Sequence, residues 1–276
     1  MQMRLFRLLL PYISFVLVLG VIFYSFLNSA TYRVGDGGEY YALYYAWVET
    51  LRPWMTASSF EAYEVFVNQS EILGHVSADR LASSFPSLRV GETADFNHFW
   101  LYSFLAFCVA LPLYLVDVAI DAHHGFLLLH HILLAVLFSI VFRFTGWRGV
   151  LVVAIMTFFS PVLWYLNKVH TELYTYVFTL LAVVLFSQCR YLASSFCLAV
   201  ASAQNPSFSL VAFVPFFYRV VWLRYKPFTW QEVFWAIGAT VLVLLHPIYY
   251  FFRYGVPTPQ LLAGGASLGE SLNSFH

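Results

Sequence analysis

The chain has 276 residues, of which 61% are hydrophobic, 20% aromatic and only 10% charged. Soluble globular domains carry about 25% charged residues, so this composition is typical of a membrane protein. Basic and acidic side chains number 14 each, and a net charge of zero argues against a nucleic-acid partner. The three cysteines lack CxxC spacing, so they predict neither a disulfide framework nor a zinc site.

The N-terminal segment predicts a retained membrane anchor. Its apolar run covers about residues 8–29, which is near the roughly 20 residues that cross a bilayer and longer than the roughly 7–15 of a signal peptide. Arg4 and Arg7 precede the run, and positive residues favour the cytoplasmic side. We therefore expect a protein of a bacterial inner membrane with a cytoplasmic N-terminus. Residues 30–97 then form a long outer loop, which would be periplasmic in a bacterium or luminal in a eukaryote.

The outer loop contains two predicted helices. The first, 38–52, is rich in Tyr and Trp and is predicted to be an amphipathic helix at the membrane surface. The second is predicted at 60–72. Residues 77–97 are expected to be irregular because Pro86 and Gly91 break regular structure.

The segment 98–116 decides the orientation of everything that follows. It contains Pro112 and is barely long enough to span. If it is interfacial or re-entrant, the later basic clusters all face the cytoplasm, and if it crosses, they all face outside. We therefore predict that it does not cross. The basic clusters are Arg143/Arg148, Arg190 and Arg219/Arg224/Lys226.

The predicted fold is thus an all-α integral membrane bundle of about seven spans, forming a single domain over residues 1–276. The fifth span is short, and Pro206 follows it, which is tolerated where a helix faces protein or a water-filled cavity. The predicted spans are 8–29, 123–142, 150–164, 172–188, 191–204, 207–222 and 231–250.

Polar side chains recur at the predicted outer ends of these segments. Ionisable groups at membrane depth are costly and usually face a cavity or pathway, so this accumulation on one side predicts a site. The polar residues are Asp36, Glu39, Asp95, Asn97, His98, Asn167, His170, Glu172, Gln204, Asn205 and His246.

Asp36 and Glu39 also have an ordinary structural explanation. Asp36 is placed to cap a helix that begins near Gly37, and Glu39, three residues later, completes a capping-box spacing. The same spacing suits a general base and a supporting carboxylate at one helix end, so both interpretations stay open. For His98, His170 and His246 the alternative is a filling role at the membrane interface.

Motifs of several other chemistries do not occur, namely HExxH, the P-loop and GxGxxG. The adjacent pairs His123/His124 and His130/His131 point to different helix faces and make a poor metal clamp. A divalent ion held by hard oxygen ligands remains an open alternative for the cofactor. Its candidate ligands are Asp36, Glu39, His170 and Glu172.

Several segments, in this order, resemble the polytopic GT-C-type glycosyltransferases, which include the protein mannosyltransferases and the aminoarabinose transferase of lipid A. The similarity covers nearly the whole chain through short motifs. The matching segments are "GDGGEYY" after the first span, "FNHFWLYSFLA" before the second, "SPVLWYLNKVHTELYTYVFTLLAVVLF", "AQNPS" and "YFFRYGVPTP".

The resemblance implies a transferase that moves a sugar from a polyprenyl phosphate to a hydroxyl of a lipid, glycan or protein acceptor, by an inverting single displacement on the outer side. The family's general base, an acid of the first outer loop, maps to Asp36, with Glu39 as alternative or helper. Donor and acceptor contacts would come from the remaining candidates. These are Tyr40, Asp95, His98, His170, Glu172, Asn205, His246 and Arg253.

The resemblance has one large departure, because relatives continue through further spans beyond the position of His276. We therefore expect the C-terminal part of the family domain to be absent here. Two other functions remain open, a lipid or sugar transporter and a non-enzymatic membrane subunit. Transporters often show internal repeats and midplane polar residues, whereas this chain shows no repeat and gathers its polar residues at one face.

Overall fold

A computed structural model describes residues 2–27, 35–74, 76–118, 120–224 and 226–263. Their regular secondary structure is helical, apart from one short antiparallel hairpin of β1 (Arg89–Val90) and β2 (Thr93–Ala94). The helices are α1 (Gln2–Leu27), α2 (Gly37–Thr50), α3 (Ala57–Gln69), α4 (Ala78–Ser83), α5 (Leu101–Tyr114), α6 (Ala122–Phe158), α7 (Thr171–Ser187), α8 (Tyr191–Gln204), α9 (Ser209–Phe217), α10 (Trp230–Tyr254) and α11 (Gln260–Ala263).

Within the described residues, three helices are long and apolar enough to cross a membrane: α1 over Leu9–Leu27, α6 and α10. The 25 residues of α10 extend about 38 Å at 1.5 Å per residue, which exceeds the roughly 30 Å of a hydrocarbon core. Four further apolar helical stretches are shorter, between 10 and 17 residues. The all-helical class is therefore confirmed, and three helices have the length and polarity of membrane spans, while the number of spans stays a prediction.

Gly146 divides α6 into two helices. Its φ of 65° and ψ of −162° lie in a region that only glycine adopts readily. The halves 122–145 and 147–158 correspond to the predicted spans 123–142 and 150–164. The second half ends earlier than predicted because Pro161 opens a 3-10 turn there, and proline cannot continue an α-helix.

The short helix α8 lies at the centre of the bundle, between α7, α9 and α10. Small side chains let its neighbours approach closely, as in other membrane bundles. Ser194 and Ser195 are buried and donate hydrogen bonds to the carbonyls of Ala182 and Ala212, both at 2.7 Å. Packing against protein on most sides explains how a 14-residue apolar helix is accommodated.

Helix α2 differs from the predicted surface helix, because its aromatic side chains are buried. Tyr40, Tyr41 and Tyr44 are each at most 1% exposed. Helices α3, α5 and α6 cover them, and the Tyr41 hydroxyl lies 3.0 Å from His123 Nδ1. Tyrosines that looked suited to lipid headgroups instead form protein core, since tertiary contacts satisfy their hydroxyls as well as water would.

Basic residues of α6 and of later segments gather at one end of the bundle, which we call the basic end and define by Arg143, Arg148, Arg190 and Arg219. The Arg190 guanidinium lies 4.8 Å from the Phe144 ring, so the turn in α6 is beside the start of α8. Helix α8 rises about 20 Å from there to Gln204. Gln204 contacts the start of α5, so the opposite end carries the predicted site residues.

Candidate functional site

Asp36, Glu39 and His98 form a three-residue cluster at the start of α2, which we call the acid–imidazole cluster. His98 Nε2 lies 2.9 Å from Asp36 Oδ2, and His98 Nδ1 lies 2.8 Å from Glu39 Oε2. The Asp36 side chain is 38% exposed and the Glu39 side chain 7%. The imidazole therefore connects an outer carboxylate to an inner one.

The side chains of Asp36 and Glu39 do not form the capping interactions that their spacing suggests. Asp36 precedes α2, but its carboxylate makes no capping hydrogen bond. The N–H of Glu39 is instead bonded to the backbone carbonyl of Asp36 at 2.9 Å, which leaves both carboxylates available to His98. The Tyr40 ring packs edge-on against His98 with centroids 5.5 Å apart and holds the imidazole in place.

The cluster holds a proton on His98 at neutral pH. Burial alone would lower the pKa of His98, but hydrogen bonds and charge from Asp36 and Glu39 outweigh it and raise the pKa to about 9. Burial raises the pKa of Glu39 from its ordinary 4.5, and His98 offsets only part of that rise. We assign the proton to His98, because imidazole binds it more tightly than a carboxylate does.

The same three residues present their ligand atoms within 4.8 Å of one another, the only such trio of acids, histidines and cysteines in the described ranges. Each imidazole nitrogen faces its own carboxylate, so an ion would have to replace one of the two hydrogen bonds. The predicted ligands His170 and Glu172 are not members of this trio. The geometry therefore suits a protonated imidazole between two carboxylates better than a metal ion held by the four predicted ligands.

His170 lies beside the acid–imidazole cluster. It precedes α7, and its Nε2 is 3.5 Å from where a Cβ on Gly35 would be. Burial lowers the pKa of His170, so the ring is neutral at pH 7. Its buried Nδ1 has no hydrogen-bond partner among the described atoms, and the nearest acid, exposed Glu172, is 3.9 Å away. A neutral imidazole thus adjoins the turn that carries Asp36.

Tyr40 is brought to the site but is enclosed by protein. Its hydroxyl interacts with Thr171 and Gln204, and its backbone carbonyl accepts a hydrogen bond from Ser103 at 2.9 Å. Burial is the largest cause that raises the pKa of Tyr40, so it stays protonated. Tyr40 therefore connects α2 to the ends of α7 and α8 and positions His98.

Asp95 and Arg253 form an anchor between the outer loop and α10. Arg253 donates to Asp95 Oδ2 at 3.1 and 2.9 Å from two nitrogens. The hydroxyls of Tyr249 and Tyr254 donate to the same carboxylate, each at 2.5 Å. Asp95 is 3% exposed, and its partners occupy it fully. The sequence predicts both residues as contacts of donor or acceptor, and the structure gives them a tertiary contact with each other.

The two remaining predicted residues, Asn205 and His246, have contacts of their own outside the acid–imidazole cluster. Asn205 is exposed and accepts hydrogen bonds from the backbone and hydroxyl of Ser207, at 3.3 and 2.7 Å. His246 is buried against the rings of Phe99 and Tyr250, at centroid distances of 5.0 and 4.8 Å. The structure thus assigns a local turn to the first and aromatic packing to the second.

Two buried polar side chains near the site, His130 and Gln204, make hydrogen bonds that the sequence did not indicate. His130, set aside in the sequence because it adjoins His131, is fully buried between the Tyr102 hydroxyl at 2.5 Å and the Leu166 carbonyl at 3.0 Å. Gln204 donates to the Phe99 carbonyl at 2.8 Å and accepts from the Tyr102 N–H at 2.9 Å. No local pattern indicates any of these four bonds, because the partners are 28 to 105 positions apart.

Comparison of the chain with protein families, curated proteins and solved structures gives no match in any of the three.

Proposed function

We propose that the protein is a membrane glycosyltransferase of the GT-C type, which transfers a sugar from a polyprenyl-phosphate donor to an acceptor hydroxyl. The observation that carries the proposal is the acid–imidazole cluster. A partly exposed carboxylate, Asp36, is held by a cationic imidazole that a buried second carboxylate supports. This cluster belongs to a bundle whose long apolar helices suit a donor with a lipid tail.

The exposure of the two acids distinguishes their roles. Asp36 is the outer carboxylate and can meet an acceptor hydroxyl, so we assign it the general base. Glu39 is enclosed and faces the other edge of the imidazole, so we assign it the stabilisation of His98 in its protonated form. His98 fixes one oxygen of Asp36 by a hydrogen bond and orients the carboxylate.

The reaction is a single displacement at the anomeric carbon. The acceptor oxygen forms the new bond while the bond from the anomeric carbon to the phosphate oxygen breaks, and the leaving polyprenyl phosphate keeps the electron pair. The acceptor proton passes to Asp36. The leaving group is already a stabilised anion, so no general acid is required. A positioned base contributes roughly 10²–10⁴-fold, and positioning of both substrates must supply the rest.

The proposal includes the sidedness of the bundle. The acid–imidazole cluster and the basic end lie at opposite ends of α8. With the basic end in the cytoplasm, the cluster faces the outer side, and about seven spans connect the two ends. Accessibility of tags placed in the 60–90 region and at 143–148 tests this arrangement, which requires opposite sides.

The decisive experiment is transfer from a radiolabelled polyprenyl-phosphate sugar by the purified full chain. We expect Asp36→Asn to abolish transfer while the protein still inserts and purifies as a single species. Glu49→Gln is the matched control, since Glu49 is an exposed acid on the same helix, and it should keep wild-type activity. Transfer retained by Asp36→Asn would exclude Asp36 as the base. Movement of labelled donor across liposomes without transfer would favour the transporter alternative.

A further inference from the structure

The basic end contains a cavity whose lining shares no residue with the acid–imidazole cluster. It has a volume of about 380 Å³ and lies where the first half of α6, the start of α8 and the start of α10 meet. Most of its wall is apolar, and Arg190 stands at its rim with the exposed Cys189. We call this cavity the Arg190 groove. Its apolar lining residues include Ile140, Phe144, Leu185, Phe196, Cys197 and Trp235.

Arg190 is a cation without an acidic partner in the parts of the chain that the structure describes. Its guanidinium rests on the Phe144 ring at 4.8 Å. The one acid in the groove, Glu232, is neutralised by Arg219, which donates to its two oxygens at 2.5 and 2.9 Å. The groove therefore combines a positive rim with an apolar interior.

We propose that the Arg190 groove binds one anionic phospholipid, with the headgroup phosphate on Arg190 and an acyl chain along the apolar wall. A guanidinium suits phosphate because its N–H groups match two phosphate oxygens at once. Helices α6 and α10, which form two sides of the groove, are of membrane-spanning length and polarity, so the interior faces acyl chains rather than water.

Charge complementarity selects this occupant over other lipids. At the basic end the exposed Arg143, Arg148 and Arg190 meet no free acid among the described residues, and anionic headgroups attract such clusters. A zwitterionic lipid would bring a second cation beside Arg190. A soluble phosphate would leave the apolar wall unfilled. The proposal is independent of glycosyl transfer, because the groove and the acid–imidazole cluster share no residue.

The test measures lipid-dependent thermal stability of the full chain in a neutral detergent, titrated with phosphatidylglycerol, phosphatidylcholine or glycerol phosphate. We expect saturable stabilisation by phosphatidylglycerol only. Arg190→Gln should weaken apparent binding about tenfold or more, as expected for loss of a charged hydrogen bond. Arg148→Gln removes the same charge at the same end but outside the groove, so it should bind like wild type. Arg190→Lys should restore part of the loss.

Several results would overturn the proposal. Equal weakening by Arg190→Gln and Arg148→Gln would mean general surface charge, and equal stabilisation by phosphatidylcholine would mean no headgroup selection. Stabilisation by glycerol phosphate would mean a soluble anion site. If Arg190→Gln does not fold, thiol labelling of the wild-type protein decides. Phosphatidylglycerol should protect exposed Cys189 at the rim and leave labelling of Cys108 on α5 unchanged, whereas unprotected Cys189 would contradict the proposal.

Discussion

Glu39 Oε2 lies 2.8 Å from His98 Nδ1, although the two residues are 59 positions apart in the chain. The contact joins the first turn of α2 to the segment just before α5, and the other imidazole nitrogen continues to Asp36. One protonated imidazole thus holds two carboxylates together, with one N–H group for each, at the start of a largely buried helix. Without His98, two anions in this position would repel each other and Glu39 would be a costly buried charge.

The first prediction concerns pH. The pKa of His98 rises from 6.5 to about 9 on folding, so its contribution to stability is complete below pH 6.5 and is lost as the pH rises through 9. The raised pKa of Glu39 acts in the same direction, because its ionisation opposes folding above about pH 4.5. We expect Tm to fall between pH 6 and 10. In His98→Gln the curve should be flatter between pH 6.5 and 9, and parallel curves for the two proteins would refute the assignment.

The second prediction concerns the anchor between Asp95 and Arg253. Arg253→Met leaves a buried carboxylate with only tyrosine hydroxyls as donors. Loss of one partner of a buried pair costs about 3–5 kcal/mol in the free energy of unfolding. We expect a cost near the lower value, because the hydroxyls of Tyr249 and Tyr254 still donate hydrogen bonds to the carboxylate. Chemical denaturation in detergent measures the cost, and limited proteolysis of the outer loop should accelerate.

Arg52→Gln is the control for the anchor, because Arg52 is exposed and its guanidinium lies 6.0 Å from the centroid of the Trp54 ring. It should change the free energy of unfolding by less than about 0.5 kcal/mol. Adding Asp95→Asn to Arg253→Met should recover part of the loss, since a neutral amide replaces the unpaired charge. If Arg253→Met behaves like Arg52→Gln, Arg253 is free for another role, such as the predicted contact with the donor.

The helices could be predicted well because their signals are local. Apolar runs predicted α1, α6 and α10, and Pro206 predicted the end of α8. The burial of α2 could not be predicted in this way. Its tyrosines suit a membrane interface and a protein core equally in composition, and only the tertiary contacts with α3, α5 and α6 decide between them.

The site could be predicted only in part, for the same reason. Charge in an apolar chain indicated Asp36, Glu39, His98 and His170, and these four do lie at one end of the bundle. The pairing of Asp95 with Arg253 depends on contacts across 158 positions, and no spacing rule reaches that far. Polar residues that satisfy one another across the fold look the same in sequence as polar residues that face a substrate.

The third prediction concerns Gln204, which joins the end of α8 to the start of α5. Gln204→Ala leaves the Phe99 carbonyl and the Tyr102 N–H without their partner in a buried place. Each such loss costs roughly 1–3 kcal/mol, so we expect a clear fall in the free energy of unfolding. Gln188→Ala, at the exposed end of α7, is the matched change and should have little effect. Equal effects of the two substitutions would show that the bond contributes nothing measurable.

The fourth prediction separates backbone strain from contact at Gly35. Gly35 and Gly91 both have positive φ, at 48° and 61°, so a β-branched side chain strains both positions, by roughly 1–2 kcal/mol. A Cβ on Gly35 already reaches 3.5 Å from the His170 ring, and the further methyl groups of valine would displace it. Around Gly91 nothing lies within 4 Å of a Cβ.

Gly35→Val should therefore lower Tm more than Gly91→Val, and the difference measures the contact with His170. If the proposed transfer depends on His170 beside Asp36, Gly35→Val should also lose transfer while Gly91→Val keeps it. The stability comparison does not depend on an activity assay, because both variants have backbone strain but only Gly35→Val places a side chain against the His170 ring. Equal losses of Tm would mean that His170 moves aside at no cost, and it would then be too loosely held to position a substrate.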